Sequence, residues 1–94
     1  MTFTIEHITK KNQNIFAELF FEQSGEHLDV KIDVVDFYLW LDRKDRLDWG
    51  TKEGETGRYK NGSQFWRLAT DETKNMNLTD YINDNEIIFQ HFEN

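Results

Sequence analysis

Apolar residues fall at every second position across residues 15–21 and again across 28–34, with Ser24-Gly25 between the two runs. Side chains alternate faces along a strand, so this period predicts two antiparallel strands with one oily face each. Folding the chain on Ser24-Gly25 sets Phe21 opposite Leu28, Leu19 opposite Val30, Ala17 opposite Ile32 and Ile15 opposite Val34. The other face then pairs Glu22 with His27, Phe20 with Asp29, Glu18 with Lys31 and Phe16 with Asp33. The opposite charges of Glu18 and Lys31 favour this register. Loops of two residues (Ser24-Gly25) or four (23–26) give the same pairing.

Upstream, residues 2–8 alternate in the same way and predict a first strand, joined to the hairpin by a polar turn at 10–14. Downstream the period changes. Phe37, Trp40, Leu41 and Lys44 fit helical spacing, Asp33 or Asp36 can cap the start, and Arg43, Lys44 and Arg46 sit where a helix end prefers cations. A helix over residues 35–47 is expected, ended by Gly50, with a long bent strand as the alternative. Residues 51–57 carry glycine and charge and predict a loop. Asn61-Gly62 is a strong hairpin signal and predicts a second hairpin over 58–70. Residues 71–77 are a polar connection, 78–83 a short helix, and 87–92 a strand or a last helical turn. The sum is an α+β fold: an antiparallel sheet of five or six strands with one main helix packed on one face, in a single domain spanning 1–94.

Composition narrows the function classes. The 94 residues contain no cysteine, which excludes disulfides and thiolate metal sites, and no apolar run of membrane-spanning length. A soluble cytoplasmic protein is expected. Eighteen acidic residues against 11 basic ones give a net charge of −7, which disfavours direct binding to nucleic acid. Residues 24–36 carry −3 and residues 61–94 carry −4, whereas 37–60 sum to +1.

Catalytic motifs are absent. His7, His27 and His91 have no ligand spacing, Ser24 and Ser63 lie in expected turns, and no glycine-rich phosphate loop is present. Asp42, Asp45 and Asp48 recur every third residue, but Lys44 and Arg46 occupy the alternate positions a calcium loop would need. The expectation is a non-enzymatic protein with no catalytic, cofactor-binding or metal-binding residue and no cofactor.

A face carrying Asp29 and Asp33 is costly to bury, so the non-core side of the hairpin should meet water. It exposes Phe16 and Phe20 among Glu18, Glu22, Asp29 and Asp33. Aromatic anchors ringed by acids suit docking on a basic protein, and Trp49 is a further candidate contact. In size, acidity, lack of cysteine and lack of chemistry the chain resembles the small bacterial immunity proteins that inhibit cognate nuclease toxins, and its richness in Asn, Lys, Ile and Phe fits an AT-rich bacterial or phage genome. No motif carries that resemblance, so it assigns no residue a role. It implies a basic protein partner, a nuclease toxin. The alternatives are a phage-encoded inhibitor that mimics DNA, against which the interleaved cations of 37–60 weigh, and a small-ligand domain or enzyme, which requires a pocket with convergent polar groups.

Overall fold

A computed structural model describes residues 2–52 and 55–92, with side chains outside 49–56 and 90–92. It is α+β. Strands β1 (Thr4–Lys11), β2 (Asn14–Phe21) and β3 (Glu26–Asp33) form an antiparallel sheet in that order. Helix α1 (Val34–Arg43) follows at once, then a two-stranded ribbon of β4 (Asp48–Lys52) and β5 (Glu55–Arg58). Helices α2 (Gly62–Leu68), α3 (Asp71–Asp84) and α4 (Ile87–Phe92) complete the described chain. Among the described residues, no helix is long and apolar enough to cross a membrane.

The period-2 pattern places the sheet's core face as expected. Ile15, Ala17, Leu19, Phe21, Val30 and Ile32 are all buried. The register differs from the expected one by two residues: Leu19 opposes Leu28, Ala17 opposes Val30, and Ile15 opposes Ile32. Gly25 is the reason. It adopts φ +74°, and its N–H donates to the Phe21 carbonyl at 2.8 Å, so the four-residue loop ends at Gly25 instead of straddling it. That left-handed conformation suits glycine at the last loop position. A slip of two preserves which face each side chain takes, so the core is unchanged while every cross-strand pair is new. Glu18 therefore opposes Asp29 rather than Lys31, and Phe20 opposes His27.

Helix α1 begins where β3 stops because Asp33 caps it: its carboxylate accepts from the Asp36 N–H at 3.0 Å. Its apolar stripe buries Val34, Phe37, Trp40 and Leu41. The helix ends earlier than expected, before Gly50 is reached. Asp45 takes the left-handed conformation (φ 54°), while the Arg46 N–H bonds the Leu41 carbonyl and the Asp45 N–H bonds the Asp42 carbonyl. That closure satisfies carbonyls the helix leaves open.

A single sheet of five or six strands with one main helix is not what forms. Residues 58–70 do not make a hairpin: the Asn61 side chain accepts from the Gln64 N–H at 2.9 Å and starts α2. Gly62 is the first helical residue, and a Cβ there would overlap the Tyr38 ring, so this glycine provides close approach between α1 and α2. Of the expected loop over 51–57, residues 51–52 and 55–57 belong instead to β4 and β5, which pair with each other and leave the main sheet with three strands, and residues 53–54 lie outside the described residues. Residues 71–77 extend the short expected helix into the 14-residue α3, capped by Thr70, and 87–92 are helical.

The helices cover the sheet's core face. Phe37 lies at their junction, with ring centroids 5.4 Å from Tyr81, 6.1 Å from Trp40 and 6.2 Å from Phe65. Arg46, just past α1, ties that end of the helix to α3: its guanidinium donates to the Asp80 carboxylate and to the Asn77 side-chain amide oxygen, and lies over the Trp40 ring. Asn77, buried at 3% exposure, is further held by donating to the Thr73 carbonyl.

Candidate functional site

The sheet's second face is left uncovered by the helices, and its residues stand in four rungs across the three strands. From the pairing, these are Thr4–Phe20–His27, His7–Glu18–Asp29, Thr9–Phe16–Lys31 and Lys11–Asn14–Asp33. A register shift between Ile5 and His7 inserts Glu6 as an extra residue beside the second rung. Such bulges re-aim side chains, and this one brings the Glu6 carboxylate to Glu18 and His27.

The expected contact residues separate into three groups. Phe16 is 42% exposed, Asp29 is exposed, and Glu18 and Phe20 are half-buried, so these four share one solvent-facing surface. Phe20 packs on the His27 ring at 4.9 Å between centroids. Glu22 is exposed but belongs to the hairpin loop, and Asp33 is exposed at the far end of β3, where its carboxylate already serves as the cap of α1. Trp49 lies in β4, and its side chain is outside the described residues.

The centre of this face is unbalanced in charge. Glu18 and Asp29 are directly opposite each other, with Glu6 alongside. Like charges in that position repel. Among the described residues, the close polar contact of this cluster is between His27 Nδ1 and Glu18 Oε1 at 3.4 Å. Carboxylates in the helical half are differently placed. Asp80 is engaged by Arg46, Asp45 by Arg58 at 2.9 Å, and Asp84 by Lys44 at 3.4 Å. The Trp40 indole N–H also donates to Asp84 at 2.8 Å, and this bond, followed by that of Lys44, holds the Asp84 carboxyl below its ordinary range. Burial, helped by Asp36 and Asp33, pushes the Tyr81 hydroxyl above its ordinary range. Asp80 and Asp84 tie α3 to the end of α1 and Asp45 ties that end to β5, whereas Glu18 and Asp29 on the open sheet face engage no helix among the described residues.

A cleft of about 420 Å³ lies between β1 and helices α2 and α3, lined in part by Glu6, His7, Lys10, Trp66, Asp71 and Lys74. It holds several titratable groups. Among the described residues, however, none of these donates to or accepts from another, so no nucleophile–base pair is assembled there. Its fixed contacts are structural: Lys74 lies 5.0 Å from the Trp66 ring centroid, and Asn75 donates to the Ile5 carbonyl at 3.2 Å.

The signals for this face were readable in part. Alternation placed Phe16, Glu18, Phe20 and Asp29 on it. The recruitment of Glu6 and His27 depends on the bulge and the shifted register, for which no local sequence signal exists. No family of known proteins, no curated protein and no solved structure matches the chain.

Proposed function

We propose that the chain is a non-enzymatic binding protein that docks on a basic protein through the open face of its sheet, and that it acts as an immunity protein neutralising a cognate nuclease toxin. The observation that supports this is the combination on one face of an exposed aromatic, Phe16, with the mutually opposed carboxylates of Glu18 and Asp29 and the neighbouring Glu6. Apolar and aromatic anchors supply interface energy, while surrounding acids steer a cationic partner and fix its orientation. A partner bringing lysine or arginine to the second rung would relieve the repulsion between Glu18 and Asp29, which gives the interaction a source of specificity. An acidic cover of this kind suits a cationic cleft built for phosphates. The interspersed Lys11 and Lys31, together with Phe16, favour a protein docking surface over an imitation of a phosphate backbone.

The test is co-expression with the product of the adjoining reading frame. A stable complex is expected that suppresses nuclease activity. Glu18→Lys combined with Asp29→Lys is expected to weaken it by about tenfold or more and reduce its salt dependence. Asp33 is left unchanged in that variant because its loss would uncap α1. A complex indifferent to both reversals would remove this face from the interface.

A further inference from the structure

We propose that Glu6, Glu18 and His27 form a binding site for a first-row divalent transition-metal ion, independent of any protein partner. One ligand atom from each of the three side chains lies within 4.8 Å of the others. His27 Nδ1 and Glu18 Oε1 are 3.4 Å apart. Two donors bound to the same ion at 2.0–2.2 Å stand about 3–3.5 Å from each other, so a small side-chain adjustment closes the triad. The donors come from three different strands: the bulged residue of β1, the middle of β2 and the start of β3. The sheet itself thus holds their spacing, and the Phe20 ring packed on His27 restrains the imidazole plane.

Electrostatics and donor chemistry agree. Among the described residues, no lysine or arginine makes an ion pair with Glu6, Glu18 or Asp29, so a divalent cation would meet carboxylates that no lysine or arginine already engages. An imidazole with two carboxylates suits zinc, cobalt or nickel better than magnesium, which prefers an all-oxygen shell. Glu6 and His27 are exposed and Glu18 is half-buried, so the remaining coordination positions open to water.

Calorimetric titration of the full chain with Zn²⁺ alone, at neutral pH in a non-coordinating buffer, tests the assignment. One ion per chain is expected, and amide NMR shifts should centre on residues 6, 18 and 27. His27→Gln and Glu18→Gln, both surface changes checked for folding by circular dichroism, are expected to weaken binding by about 10–100-fold, at least the loss seen for removing an outer partner of a metal ligand. His7→Gln, adjacent to the cluster but outside it, should bind as the parent does. Failure to take up Zn²⁺ would overturn the site. So would uptake that survives His27→Gln, or Mg²⁺ binding as tight as Zn²⁺, which would leave the imidazole no part as a ligand. No partner protein enters the experiment, so its failure leaves the docking proposal standing.

Discussion

The sheet and the helical half of this molecule use polar residues in opposite ways. In β1–β3, polar groups alternate with apolar ones and project to solvent, so the sheet has a dry face and a wet one. In the helical half, polar groups act as fasteners, pairing with one another and with helix-end N–H groups, most of them at the surface and Asn77 buried. Arg46 bridges to Asp80 and Asn77, the Trp40 indole bonds Asp84, and Asn61 and Thr70 cap α2 and α3. The lesson concerns availability. A carboxylate already committed to a neighbouring cation or N–H contributes to the fold, whereas one facing another carboxylate across a ladder is open to a ligand.

Truncations at the two cores probe this contrast most strongly. Phe37→Ala removes the ring at the meeting point of α1, α2 and α3 and should destabilise by about 3–5 kcal/mol, and Leu19→Ala in the sheet by about 2–5 kcal/mol. Urea unfolding would measure both. A mild Phe37→Ala would mean that the sheet carries the fold and the helices merely decorate it.

Next in size is Gly62→Ala, expected to cost about 1–3 kcal/mol through overlap with Tyr38. Because the cost is steric, Tyr38→Gly should remove most of it in a double-mutant cycle, whereas Tyr38→Ala, which keeps the Cβ that the added methyl also overlaps, should relieve only part. If Gly62 were instead a hairpin-turn glycine, the cost would persist without Tyr38, and the contrast between the halves would lose its clearest boundary.

The smallest effect has the opposite sign. Glu86 follows α3 with φ 52°, a left-handed conformation that strains a residue bearing a Cβ. Glu86→Gly relieves that strain and should stabilise by about 0.5–1 kcal/mol, after the extra freedom glycine gives the unfolded chain. A rise in the urea midpoint checks it.

How far the sequence could be read follows from the same division. A two-residue period is a strong constraint, and Ile15, Ala17, Leu19, Val30 and Ile32 went to the core even though their partners shifted. Asp33 or Asp36, followed by helically spaced Phe37, Trp40 and Leu41, pointed to α1 while a long bent strand stayed open, and the Asp33 cap decides for the helix. Asn61-Gly62 misled because the same pair serves two devices: a tight turn, or a cap followed by a close helix crossing. Only Tyr38, more than twenty positions earlier, decides between them. The first turns of α3 were illegible for a related reason. Residues 71–77 have no apolar period, and the buried Asn77 there depends on Arg46, 31 positions away. The open face was half legible: its aromatic and acidic members follow from alternation, while the convergence of residues 6, 18 and 27 needs the bulge.

Asp33 gives the open face a grip on the interior. Its carboxylate is at once the last acid of the outward rungs and the latch on the first turn of α1. A cation that drew this side chain away would release the Asp36 amide and loosen the turn bearing Phe37. A visitor to the sheet therefore does best at the Glu18 end, and one that reached across to Asp33 would be felt in the packing of the aromatic centre on the far side of the molecule.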